Sequence, residues 1–243
     1  MDESGAIKGL KPHFIEIIVL ILVIVLLSIG TYWRNKIWNS QIELWEDCVK
    51  KSPHKARPYT DLGFAYLESG QYDKALEITH KAIEINPKYA SAYHNLGIIL
   101  QKMGELKKAI SMVKQSLDID PTLYIALYSL GGIYFENGQY IESAEAFHKF
   151  LNVYPYFPNA HHLLAIDHAA QRQFDKAIVE FEWELRVNPY NTLTHLNLGQ
   201  IYWYEFQNKQ KAIYHLKVAL MLDPFLPNRK AIQSMVHLLE GLP

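Results

Sequence analysis

Six prolines recur along this chain at a constant interval: Pro53, Pro87, Pro121, Pro155, Pro189 and Pro224. The successive gaps are 34, 34, 34, 34 and 35 residues. A chain with that period is built from copies of one supersecondary unit, each stacked on the next, because one such unit cannot bury its apolar face alone. The same register carries other residues. With Ala56 as position 1, position 7 is Leu62, Leu96, Leu130, Leu164 and Leu198. Position 8 is Gly63, Gly97, Gly131, Ala165 and Gly199. Position 20 is Ala75, Ala109, Ser143 and Ala177, and in the fifth copy Ala212 comes one residue late, which accounts for the gap of 35.

Each position has a physical reason. Small residues at positions 8 and 20 let two helices of one unit approach closely. Leu at 7 and the residue at 11 (Tyr66, Leu100, Tyr134, His168, Tyr202) share a face, since residues four apart are neighbours on a helix. Position 4 carries Tyr59, Tyr93, Leu127, His161 and His195. Gly70, Gly104 and Gly138 mark the turn between the two helices, where a left-handed residue ends a helix. Proline at position 32 stops the second helix. This pattern resembles the tetratricopeptide repeat (TPR) family over residues 56–226. The resemblance implies an all-α solenoid of five helix pairs.

Both ends extend the pattern. Read backwards in register, Trp45, Cys48 and Pro53 fall at positions of a second helix and its closing proline, so residues 37–52 predict a half-repeat covering the first full copy. Residues 228–240, with Ile232, Met235, Val236 and Leu239 on one face and Asn228 as N-cap, predict a terminal helix that closes the array. Cys48 occupies a position where small buried residues belong, and one cysteine forms no intramolecular disulfide.

A curved stack of helix pairs presents the first helix of each pair on its concave side. Positions 2, 5, 9 and 12 then face the groove. They include Arg57, Thr60, Phe64, His94, Gln101, Tyr128, Phe135, Asn159, His162, Gln200 and Trp203, with Asp61, Asn95 and Asn197 at the edge. The candidates for partner binding are Phe64, His94, Asn95, Gln101, Tyr128, Phe135, His162, Asn197, Gln200 and Trp203. Aromatic anchors carry much of interface energy. Packing against neighbouring repeats is the competing role for the same side chains. TPR domains that clamp a C-terminal carboxylate use basic and amide residues at set positions, and position 5 here holds no Lys or Arg.

The N-terminal part differs in kind. Residues 14–33 read FIEIIVLILVIVLLSIGTYW, with Glu16 as the one charge. About 20 helical residues span a bilayer core. Tyr32 and Trp33 suit the interface, and Arg34 and Lys36 follow. The expectation is an uncleaved single-pass anchor. A cleaved signal peptide is the other reading, with Lys8 and Lys11 as its basic region, but the apolar run is long for that. Basic residues flank both ends, so orientation is close to a tie on charge alone.

The junction of residues 30–70 is similar to the segment after the last membrane span in protein O-mannosyltransferase-type glycosyltransferases with C-terminal TPR repeats. Thr31, Arg34, Asn35, Trp38, Leu44, Trp45, Pro53, Arg57, Leu62 and Gly63 carry the similarity. It implies repeats outside the cytoplasm, in periplasm or lumen; the expected location is a bacterial inner membrane with the repeats in the periplasm. The catalytic multi-span domain of those enzymes has no counterpart in the sequence.

Chemistry is excluded more readily than assigned. Lys plus Arg total 24 against 25 Asp plus Glu, so no basic surface invites nucleic acid. G-x-S-x-G, G-x-x-x-x-G-K-[ST] and G-x-G-x-x-G are absent. Carboxylates such as Glu180 and Glu184 lie one helical turn apart on an expected surface. His161, His162, Asp167, His168 and His195 cluster in the fourth and fifth copies, yet His161 and His195 stand in for the aromatic at position 4, His168 for that at position 11, and the group forms no compact ligand set. Neither enzyme, metal site nor cofactor is expected. The predicted organisation is a tail (1–13), a transmembrane helix (14–33), a junction and half-repeat (34–55), five repeats (56–226) and a capping segment (227–243). The predicted function is a membrane-tethered scaffold for protein or peptide partners. An accessory subunit of a membrane glycosyltransferase, or a structural subunit beside a multi-span membrane protein, is the alternative.

Overall fold

The computed structural model describes residues 12–37 and 40–241, with side chains described for 17–32 and from 40 onward. Residues 1–11 of the expected tail, and Trp38 of the junction, lie outside the described residues. So do the side chains of Glu16, Trp33, Arg34 and Lys36. Thirteen α-helices and no strand occur among the described residues. The chain divides into two compact units, residues 1–87 and 88–243.

The first unit holds α1 (Pro12–Ile37), α2 (Gln41–Lys51), α3 (Ala56–Glu68) and α4 (Tyr72–Ile85). α1 overruns the expected span at both ends. Its side chains from Ile17 to Tyr32 face outward on every side, the large apolar ones 43–66% exposed. No helix is long and apolar enough to cross a membrane among the described residues. α2 is the expected half-repeat helix, but it starts at Gln41 because Ser40 caps it, its hydroxyl accepting from Glu43 N–H at 3.4 Å. α2 packs on α3, and the Tyr66 hydroxyl donates to Glu46 Oε1 at 2.8 Å.

The second unit holds α5 (Ala90–Lys102), α6 (Leu106–Ile119), α7 (Ile125–Glu136), α8 (Tyr140–Leu151), α9 (Ala160–Ala170), α10 (Phe174–Val187), α11 (Thr192–Tyr204), α12 (Lys209–Leu222) and α13 (Arg229–Gly241). Successive helices pair as α5–α6, α7–α8, α9–α10 and α11–α12, and α13 packs on α12. Position 8 explains the close pairing. A Cβ on Gly97 would stand 2.3 Å from Val113 Cγ2, and one on Gly199 2.7 Å from Leu216 Cγ. In the first unit a Cβ on Gly63 would meet Thr79 Oγ1 at 2.3 Å. The facing alanines Ala75, Ala109, Ala177 and Ala212 have no exposed surface.

The turn inside each pair repeats one device. Gly70, Gly104 and Gly138 have φ of 74, 81 and 75°, and Arg172 and Gln207 hold the same turn at 60 and 50°. The residue after it bonds back over the helix end: Gln71, Glu105, Gln139 and Gln173 N–H reach Tyr66, Leu100, Tyr134 and His168 O at 2.8–2.9 Å. In the fifth copy the bond runs from Asn208 N–H to Tyr202 O at 2.7 Å, one residue further. The extra residue of the last period therefore lies in a turn. Asn228 precedes α13, where a cap is expected, with φ 61° and its carbonyl taking Ile232 N–H at 3.1 Å. Arg229 Nη1 donates to Leu220 O and Asp223 O at 2.6 and 3.0 Å, covering carbonyls at the end of α12.

The core of the second unit is continuous from α9 to α13. Phe181, Leu198, Leu216 and Leu239 are fully buried in it. A second cluster joins α8 and α9 through Phe147, Phe150 and Leu164.

Candidate functional site

In the first unit, Phe64 on α3 is 44% exposed and borders an open cleft of about 370 Å³ with Gln41, Ile42 and Glu68. In the second unit the other candidates divide into two groups. The first group is occupied in packing, either between consecutive repeats or within one repeat. His94 Nε2 lies 2.9 Å from Ser129 Oγ, Gln101 Nε2 donates to Glu136 Oε1 at 2.7 Å, and His162 Nδ1 lies 2.7 Å from Thr194 Oγ1. Each bond links the first helix of one pair to the first helix of the next. Burial holds the pKa of His94 and of His162 down to about 4, so both stay neutral and bonded near pH 7. His162 is buried and also meets the Phe181 ring at 5.4 Å. Tyr128 packs among Phe147, Phe150 and Phe157 at 5.7, 5.2 and 5.1 Å, and Phe135 meets Tyr140 edge-on at 5.5 Å.

The second group is Gln200, Trp203, Asn95 and Asn197. Gln200 is exposed, and it lines a cleft of about 630 Å³ with Trp203, Leu196, Asn228, Met235 and Leu238. α11 and α13 form its walls. No charged side chain lines it, so it suits apolar and amide groups. Asn95 and Asn197 are half-buried on α5 and α11.

The histidines at position 4 replace tyrosine in a structural bond. Tyr59 Oη donates to Pro53 O at 3.2 Å. His161 Nε2 and His195 Nε2 reach Pro155 O and Pro189 O at 2.9 and 3.2 Å, six residues back in the same way. Burial pulls His161 down, but its bonds to Glu180 Oε2 at 2.7 Å and to Pro155 outweigh it and raise its pKa. Burial lowers His195, and it lowers His215 to about 4 with the help of His195 beside it. No group of three or more His, Cys, Asp or Glu is placed to hold a metal ion among the described residues.

Three arrangements went unread in the sequence. α13 is a wall of the cleft as well as a cap. Glu184, expected on a surface, has no exposed area; its Oε1 accepts from Asn159 N–H at 3.1 Å and Asn191 Nδ2 at 3.2 Å, closing the start of α9 with a carboxylate. Asp167 is equally buried and lies 2.6 Å from Ser143 Oγ. The last had a signal: position 10 is Ala65, Ile99, Ile133 and Ile201 in the other copies.

Two family models described as tetratricopeptide repeat match residues 55–122 and 162–227. Several solved structures share the fold. The TPR protein YrrB, described as having an unusual peptide-binding site, is 19% identical with a TM-score of 0.67, over 79% of this chain and 99% of that one. PilF of Pseudomonas aeruginosa is 15% identical with a TM-score of 0.70, over 87% and 95%. Residues 41-end of MamA from Desulfovibrio magneticus RS-1 are 20% identical with a TM-score of 0.64, over 69% and 94%. No curated protein matches the chain in sequence, so the likeness of its junction to membrane glycosyltransferases gains no support there.

Proposed function

The chain belongs to the tetratricopeptide repeat family, and from that premise we propose that it is a membrane-tethered scaffold. Its repeats hold protein or peptide partners at the extracytoplasmic face. The observation that carries the binding reading is the cleft between α11 and α13. Trp203, Leu196, Met235 and Leu238 offer apolar surface there, and Gln200 and Asn228 offer amides to a backbone. Such a mixture of apolar walls and few polar groups is the usual make-up of a binding site. His94, Gln101 and His162 serve the reading indirectly, by locking the helices that carry the site.

The tether is supported by α1. Its apolar side chains from Ile17 to Leu27 are exposed on every side and find no protein core, an arrangement that hydrocarbon accommodates and water does not. A tether concentrates whatever is bound, so weak contacts in the cleft suffice. The junction sequence supports the extracytoplasmic side. The reading assigns no catalysis, metal or cofactor.

The test uses the intact chain extracted in mild detergent. Partners that co-purify with the wild type and are lost with Trp203→Ala and Gln200→Ala support the scaffold. Unchanged capture by these variants removes the cleft from the reading. A multi-span protein in fixed ratio, insensitive to the cleft variants, would replace it with a subunit of a membrane complex. Alkaline washing of membranes tests the tether: release of the chain into the wash ends that part of the proposal.

A further inference from the structure

Two copies of the repeat depart from the pattern at positions that touch. Position 20 is Ala75, Ala109, Ala177 and Ala212, all fully buried, but Ser143 on α8. Position 10 is Ala65, Ile99, Ile133 and Ile201, all buried, but Asp167 on α9. The two polar substitutions meet at 2.6 Å, between the α7–α8 pair and the α9–α10 pair. An alanine facing an isoleucine would pack there without any polar group to satisfy, so an apolar junction has been exchanged for one that depends on hydrogen bonds.

Proton accounting defines the state of this pair. Ser143 Oγ also lies 2.9 Å from Gly131 O, a backbone carbonyl inside α7. A carbonyl only accepts, and a serine hydroxyl has one proton. If Asp167 were ionised, that one proton would serve two acceptors. Asp167 Oδ1 is also buried with no partner, so the charge would rest partly on a bare oxygen. With a neutral carboxyl the chain closes: Asp167 Oδ2–H donates to Ser143 Oγ, and Ser143 donates to Gly131 O. Burial raises the Asp167 pKa to about 7, opposed by the Ser143 bond.

We propose that Ser143 and Asp167 form a proton-operated catch between the α7–α8 and α9–α10 helix pairs, closed while the carboxyl is neutral and loosened when its proton leaves. The titratable groups on the surrounding elements are Tyr128, Tyr134 and Glu136 on α7, Tyr140, Glu142, Glu145, His148 and Lys149 on α8, and Asp175, Lys176, Glu180, Glu182, Glu184 and Arg186 on α10. His168 is its neighbour on α9. His148, Lys176 and Glu180 act on His168, which burial lowers first. The shift of Asp167 comes from burial and Ser143. The catch therefore answers to pH through one group, and it does not depend on any partner in the cleft.

The experiment is amide hydrogen exchange on the full chain in non-ionic detergent from pH 5 to 8.5, corrected for intrinsic rates. It compares wild type with Asp167→Asn, whose amide still donates to Ser143 but cannot ionise. A second variant, Asp167→Ile with Ser143→Ala, restores the residues of the other copies. In the wild type, opening of α8 and α9 rises with pH and levels off above pH 7, on the order of a hundredfold in all for an acid that moves from about 4 when open to about 7 when closed. Both variants lack this rise, and the second keeps the junction closed throughout. The same rise in Asp167→Asn, or no rise in the wild type, overturns the proposal.

Discussion

The turn inside each helix pair asks every copy for the same left-handed backbone, and only three copies supply glycine. Arg172 at φ 60° and Gln207 at φ 50° hold a conformation that strains a side chain bearing Cβ. Arg172→Gly and Gln207→Gly should each stabilise the chain by about 1 kcal/mol, read as a higher unfolding midpoint. Glycine has the opposite value at position 8. Gly97→Ala would drive Cβ against Val113 and should cost about 1–3 kcal/mol. Gly132, with nothing within 4 Å of a Cβ, should tolerate alanine and gain about 0.5–1 kcal/mol. These roles follow from spacing, and the sequence showed the glycines at both positions. It did not show that Arg172 and Gln207 adopt the glycine conformation, because the demand comes from the helices on either side of the turn.

At the scale of the helix, the repeating unit was legible in the sequence, since apolar spacing, turn glycines and prolines all repeat. Contacts between helices were less legible. His94 with Ser129 and Gln101 with Glu136 are separated by 35 residues, so a groove position in one copy can be used up by a side chain in the next. Only Gln200 and Trp203 came out as a pair beside one cleft, and α13, which forms the far wall, carries no repeat signature. The buried imidazoles give a measurable pH response. His94 and His162 have folded pKa values of about 4, below their unfolded value of about 6.5. Their stabilisation is complete above pH 6.5 and is lost as pH falls toward 4, at up to about 1.4 kcal/mol per pH unit for each. Asp167 has the reverse slope over the same range, so unfolding midpoints measured in the Asp167→Asn background should show the decline most cleanly. Imidazole resonances of His94 and His162 should not titrate above pH 5.

At the scale of the whole chain, each repeat buries its apolar face against its neighbours. An array of such units needs its last one covered. Ile232, Val236 and Leu239 of α13 complete the core around Leu216 and Ala219, and Lys217 Nζ pairs with Glu240 Oε1 at 2.6 Å. Ending the chain at residue 227 should expose that surface, lower the unfolding midpoint of the second unit and promote aggregation, measured by light scattering. Removing α1 should do the reverse: a chain starting at residue 40 should stay in solution without detergent and keep the helical circular-dichroism signature of the repeats. The turn at Gln207 has one more consequence. One residue added within a helix would rotate everything after it by about 100° and turn Ala212, Leu216 and Ala219 out of the core. Spent between helices, it left all three fully buried. The array has already absorbed a change of length at this point without losing phase, which makes the α11–α12 turn the natural place to graft a fluorescent label or an epitope.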